Sequence, residues 1–329
     1  MIATVRANRW LEPAAWRNLF RDQPLIPLIG LLVLLVAAVD LTTGGAVDAK
    51  WCAVILRQSV PLAILGGCQT LVMLTGGIDL SVAAVASMAG FVTATFVHEP
   101  GGWVEGVAVA LAAAALAGLV TGIGVGVFRV PPLIMTLAMG FVILGFSNVW
   151  QLQRVQTGAG VPTELRHLGS DLAWDVVPLS LIVFVPLALM IMLGLRRTGY
   201  GRLLFAVGDN PIAARLSGAR AWQVLIVLYV ISAVMAGVAG LVLSGFSNTA
   251  SVSLADPYLL PCIAAAVIGG TSIMGGRGGF GGTIVGAIIL MVLGALLTDL
   301  GLQEPWRQVV FGSIIVVMAT AYTRVTAEY

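Results

Sequence analysis

Charge is what this sequence has least of. Asp, Glu, Lys and Arg make up 10% of 329 residues, against about a quarter in an ordinary soluble domain. So few ionic groups cannot cover a water-facing surface on a chain this long, so lipid must be the solvent for most of its exterior. Sustained alternation of apolar and polar residues is also missing, which excludes a transmembrane barrel. Backbone groups in lipid must bond within the chain, so the long unbroken apolar runs mean helices. The net charge is only +2, which argues against nucleic acid as a partner. Cys52, Cys68 and Cys262 are scattered, and neither His98 nor His167 has a second ligand at metal spacing, so no metal site is expected. No G-x-x-x-x-G-K-[ST] string occurs, so the chain has no phosphate-binding loop of its own. Residues Gly276 to Gly281 match G-x-G-x-x-G, with Asp299 near the acidic position, but no strand precedes them and no βαβ unit surrounds them. A nucleophile–base pair for a membrane hydrolase is absent as well. The chain therefore reads as a transport or scaffold component and not as an enzyme.

What is present is a series of apolar runs about 20 residues long. Ten spans are predicted, at 24–41, 53–75, 79–97, 104–128, 131–151, 175–195, 222–246, 257–274, 281–300 and 305–322. The fold class is thus an all-α polytopic bundle, with a single membrane domain over 24–322 and a tail at 323–329. Glycines interrupt the third and eighth spans. Trp51, Trp103, Trp150, Trp174, Trp222 and Trp306 fall at predicted span ends, where indoles prefer the headgroup region. With ten spans both termini share one side. That side holds twelve of the seventeen Lys and Arg residues, among them Arg196, Arg197, Arg202, Arg215 and Arg220. The asymmetry predicts cytoplasmic termini and a cytoplasmic 196–221 loop. Residues 1–23 read as an interfacial helix with Trp10, Leu11, Ala14, Leu19 and Phe20 on one face. The rival reading is a cleaved signal peptide with Val36 and Ala38 at the processing site. The longest loops, 152–174 and 196–221, are too short for a soluble domain, so any large recognition or catalytic domain belongs to another chain.

Three strings stand out. In the first, Gly76 and Gly77 break a span after Thr75, and Asp79 and Ser81 follow where a new helix could start. An Asp there can cap the helix, and broken helices at membrane depth serve solute binding in transporters. A short cytoplasmic turn fits the spacing equally well. In the second, Asn210 or Asp209 can cap a helix with Pro211 at its first position and Gly218 beyond its end. A helix of two turns is unstable alone, so it should dock on a partner or on its own bundle. In the third, Ile268-Gly269-Gly270-Thr271-Ser272 leads to Gly275-Gly276-Arg277-Gly278-Gly279. It resembles the first string in kind, as a degenerate repeat would, although close helix packing through small residues explains it too.

Together the three strings resemble the monosaccharide branch (ribose, xylose, arabinose) of the bacterial ABC importer permeases. The resemblance runs in order from about residue 50 to 322. It is carried by Gly76-Gly77-Ile78-Asp79-Leu80-Ser81, by Ala206-Val207-Gly208 through Asn210-Pro211 to Gly218, and by Val267-Ile268-Gly269-Gly270-Thr271-Ser272. It implies a multi-pass protein of the bacterial cytoplasmic membrane that pairs with a second, identical or related, permease chain. It also implies two ATPase subunits on the cytoplasmic side and a periplasmic or lipid-anchored solute-binding protein outside. ATP and Mg²⁺ would be held by the ATPases, with no cofactor on this chain. Asn210, Pro211, Ala213, Ala214, Arg215, Leu216 and Gly218 would form the coupling segment. The sequence departs from the pattern at Ile212, where Glu is common and would supply a charge-assisted bond to the ATPase. It departs also at Asp209 and after Ser81, where Gly is usual.

The expected solute path is lined by small and polar span residues: Gln69, Thr75, Gly76, Gly77, Asp79, Ser81, Asn148 and Gln151. Gln69 and Asn148 could equally bond between helices. Ionisable residues are scarce in the spans, which favours a neutral polyhydroxylated solute over a charged one and disfavours proton coupling. A nucleoside or branched-chain amino acid remains an alternative solute, and an ATP-independent channel or secondary transporter an alternative class.

Overall fold

The structure, a computed structural model, describes residues 25–96, 101–154 and 160–327. The interfacial helix expected over 1–23 lies outside them. The chain forms α1 (Leu25–Thr42), α2 (Ala49–Met73), α3 (Val82–Ala94), α4 (Gly102–Gly126), α5 (Pro132–Arg154) and α6 (Thr163–Ser170). A two-stranded hairpin, β1 (Leu172–Ala173) and β2 (Val177–Pro178), then leads to α7 (Leu181–Arg197), α8 (Gly199–Asp209) and α9 (Pro211–Leu216). Next come α10 (Ala221–Ser247), a 3-10 turn at Asp256–Tyr258, α11 (Leu259–Ile268), α12 (Phe280–Asp299) and α13 (Glu304–Ala327).

The chain is therefore a polytopic helical membrane protein. Among the described residues six helices (α1, α2, α4, α5, α10 and α12) are long and apolar enough to cross a bilayer. Counted as one span, the bent pair α7–α8, turned by 70°, makes a seventh. Ten full spans are not reached by this measure. At 1.5 Å per residue, α3 with 13 residues and α11 with 10 are too short to cross alone. Both lie where glycines interrupt the predicted third and eighth spans. The predicted start of the sixth span is also displaced, because residues 172–178 form the hairpin and put Trp174 at its tip. The segment 199–209, read as loop from the sequence, is helix α8, with Thr198 capping it through the Gly201 amide at 3.1 Å.

Two helices organise the bundle. α2 and α10 are the most buried spans. α10 packs against α2, α3, α4 and α6, while α12 packs against α1, α2 and α11. The α4–α10 contact is close because Gly118, Gly122 and Gly126 recur every fourth residue. A Cβ on each would lie 2.5 Å from Tyr229 O, 2.7 Å from Ile226 Cα and 2.9 Å from Trp222 O. Lipid gives helices no hydrophobic reason to associate, so such small-residue stripes, which let backbones touch, supply the packing.

At one end of the bundle α6 lies across α10. Arg57 of α2 holds it there: its guanidinium donates to the Ser170 carbonyl and sits 5.5 Å from the centre of the Phe246 ring. Arg57→Leu removes a charge-assisted hydrogen bond and a cation–π contact, about 2 kcal/mol together. The expected result is at least tenfold faster hydrogen exchange across Thr163–Ser170, with exchange in the middle of α10 unchanged.

Candidate functional site

α2 and α11 end in the same way. After α2, the Gly76 amide donates to Met73 O and the Gly77 amide to Val72 O; after α11, the Gly270 amide donates to Val267 O and the Thr271 amide to Ala266 O. Both are Schellman caps, and each has a glycine with positive φ at the turn, Gly76 at +76° and Gly270 at +85°. The likeness between the first and third strings is thus a shared helix-ending geometry.

The 74–81 break is fastened from three helices. Gln69 of α2, fully buried, donates through Nε2 to Asp79 O and accepts from the Asp79 amide through Oε1. Thr136 of α5 accepts from the Leu80 amide at 3.0 Å and donates to Ile78 O at 3.2 Å. Ser232 of α10 lies 3.5 Å from Asp79 Oδ2. Asp79 is 3% exposed, so its carboxylate is not free in solvent. Nor does it cap α3. The cap residue is Ser81, and Asp79 Oδ1 accepts from the Ser81 amide at 2.9 Å and the Ser81 hydroxyl at 2.6 Å. The carboxylate thus closes a local turn two residues ahead of the helix, an alternative open to any Asp near a helix start.

The three strings meet. Gly276 donates its amide to Leu74 O at 3.0 Å, joining the third string to the first. Gly208, near the end of α8, packs into that junction so closely that a Cβ would overlap Leu74 O and lie 2.9 Å from Gly276 N. A Cβ on Gly275 would in turn stand 2.8 Å from Gly208 O and 3.0 Å from Gly76 N. Backbone touches backbone at each of these points, which glycine alone permits. The helix preceding the short α9 is therefore seated directly on both breaks.

The residues of the expected coupling segment lie just beyond. Asn210 Oδ1 accepts from the amides of Ile212 and Ala213, both at 3.0 Å, and Pro211 is the first helical residue. α9 has six residues. Ala214 is its inward face, while Pro211, Ala213, Arg215 and Leu216 point out, Leu216 at 85% exposure. Gly218, φ +87°, turns the chain towards α10.

Of the expected path residues, Gln69, Gly76, Gly77, Asp79 and Ser81 gather at the first break. Thr75, beside them, donates its hydroxyl to Val72 O at 2.8 Å. Asn148 and Gln151 are elsewhere, on the exposed face of α5 and towards its far end. Sequence reasoning missed Thr136, Ser232 and Tyr229. Each is a polar residue buried within an apolar run, and the cost of burying such groups is the signal that could have found them. The side chain of Tyr229 reaches the break, with its hydroxyl 3.3 Å from where a Cβ on Gly77 would stand.

Residues 52–319 match the family model described as the permease component of branched-chain amino acid transport systems. The chain is 32% identical to a fructose import permease protein of Rhizobium meliloti over 298 residues, covering 89% of this chain and 83% of that protein. It is 34% identical to the ribose import permease protein of Escherichia coli K12, covering 88% and 90% respectively. A probable ABC transporter permease protein of the same strain is 29% identical, with 89% and 88% covered. No solved structure matches. With the match spanning the breaks, α8 and α9 alike, the chain belongs to this family of membrane permease components, which are transport subunits and not enzymes.

Proposed function

We propose that this chain is one half of the membrane pathway of an ATP-binding-cassette importer for a sugar or similar neutral polyhydroxylated solute. One observation carries the reading. α8, which leads into the outward-facing α9, rests through Gly208 on the two breaks at Leu74 and Gly276. Force applied to α9 reaches both breaks without passing through flexible side chains. The sugar class follows from the relatives, which import fructose and ribose, and from the scarcity of ionisable groups in the spans.

In this reading α3 and α11, each with its glycine break, complete two further crossings. With α13, 24 residues long, as one more crossing, the count reaches ten, which places both termini in the cytoplasm. The 74–81, 208–218 and 268–279 segments then share the cytoplasmic end, and the end carrying α6 and the hairpin receives the solute-binding protein. Two ATPase subunits holding ATP and Mg²⁺ seat on α9 of this chain and on that of a second permease chain. Asn148 and Gln151 face that second chain across the path, since polar side chains on a lipid-facing surface would be costly.

The test is at α9. Arg215→Asp with Leu216→Asp puts two carboxylates on an exposed face, away from buried Ala214. Folding should be unchanged, as for most exposed substitutions. ATPase co-purification and solute uptake are expected to fall at least tenfold. Unchanged assembly and uptake would remove α9 from the ATPase interface.

A further inference from the structure

We infer that a groove between α8 and the start of α10 is a binding site for an anionic phospholipid, with the headgroup at Arg220 and an acyl chain along Leu203, Val224 and Val227. The inference goes beyond the transport reading and needs only the chain's place in a membrane.

The groove has a volume of about 480 Å³ and is lined by Tyr200 and Leu203 of α8, by residues 217–220, and by Gln223, Val224 and Val227 of α10. That volume lies within the range of small-molecule sites. The Tyr200 hydroxyl donates to Val224 O at 3.0 Å, pinning α8 to α10 across the groove. Because α8 turns 70° from the crossing helix α7, the groove opens where bundle end and bilayer surface meet. Exposed Trp222, one residue into α10, marks the same level, the headgroup region that indoles favour.

The two ends of the groove differ in chemistry. Leu203 and Val227 are 39% and 45% exposed, an open apolar wall that a hydrocarbon chain fills without dehydrating any polar group. Arg220 and Gln223 supply cationic and neutral donors at the other end. The surrounding charge is strongly one-sided. Residues 196–221 carry five arginines, Arg196, Arg197, Arg202, Arg215 and Arg220, against one acid, Asp209. None of the five is in an ion pair among the described residues. A cationic rim above an apolar wall at the membrane surface complements a phosphate ester bearing an acyl tail. Of the residues assigned above to the ATPase, only Gly218 is part of the lining; Arg215 and Leu216 are not.

The experiment uses the full-length chain with its ATPase, in phosphatidylcholine vesicles doped with one of two probes. Each probe carries a photoactivatable acyl chain, one under a phosphatidylglycerol headgroup and the other under phosphatidylcholine. The glycerol probe is expected to label peptides containing Leu203 and Val224–Val227 about fivefold more than the choline probe, the factor that one near-surface Arg supplies. Arg220→Gln should abolish that preference. Val227→Trp, which fills the apolar wall, should suppress labelling there by both probes and leave labelling elsewhere on the chain intact. Equal labelling by the two headgroups, indifference to both substitutions, or labelling only when the ATPase is absent would each overturn the site. A failure of solute transport would leave these readouts untouched.

Discussion

Gly208→Ala is expected to cut solute uptake at least tenfold, although Gly→Ala in a helix interior ordinarily stabilises by about 1 kcal/mol. The reversal comes from what the methyl group would meet. It would overlap Leu74 O and come within 2.9 Å of Gly276 N, and backbone cannot step aside as a flexible side chain can. Overpacking of this kind costs about 1–3 kcal/mol. The strain is relieved only if α8 lifts off the two breaks, which breaks the path from α9 to the bundle interior. ATPase should still co-purify, because the exposed face of α9 is intact, so hydrolysis persists while uptake fails. Gly199→Ala is the control. It lies on the same helix, where only the Arg202 side chain, at 3.8 Å, is near, and uptake should be unchanged. Full uptake by Gly208→Ala would show that α8 transmits nothing through this contact.

Asp79→Ala is expected to destabilise the protein by about 2–6 kcal/mol, from two buried groups left unpaired at about 1–3 kcal/mol each. The Ser81 amide and hydroxyl both donate to Asp79 Oδ1, and at 4% exposure of Ser81 no bulk water replaces that acceptor. Asp79→Asn keeps an oxygen in the same place and should retain most of the stability. The order of thermal unfolding midpoints in detergent is therefore wild type and Asn close together, with Ala well below. Equal midpoints for Ala and wild type would mean the turn is held by Gln69 and Thr136 alone, which also grip the segment. The Asn variant then separates architecture from charge: if it folds but does not transport, the carboxylate itself is needed.

How much was legible beforehand varies by element. The spans at α1, α2, α4, α5, α10 and α12 could be placed within a few residues, because a run of about 20 apolar residues has one stable state in lipid. Tryptophans marked the ends of α2, α4, α5, α10 and α13. Trp174 misled, since an indole at the tip of a hairpin looks the same in sequence as one at a helix end. The α9 cap was also legible, because Asn210 and Pro211 act on their own neighbours. α8 was not: Gly199, Gly201 and Gly208 argue against a helix by propensity, and its stability comes from packing on α7 and α10.

The same division runs through the candidate site. Glycine pairs at 76–77 and 269–270 announced two helix ends, and Asp79 announced a nearby helix start, although it closes a turn ahead of α3 and does not cap it; all of these are interactions within a few residues along the chain. That Gly208, Leu74, Gly275 and Gly276 form one contact was invisible, because their approach depends on how α2, α8 and the segment before α12 cross in space. Asn148 and Gln151 were grouped with Asp79 by polarity, yet α5 carries them on its exposed face, away from the break. The sequence alone determined a lipid-solvated helical protein with two interrupted spans and a capped short helix, since hydropathy and capping act locally. Only the tertiary structure decided that these interruptions touch one another, because backbone-to-backbone contact between glycines leaves no side-chain pattern to read.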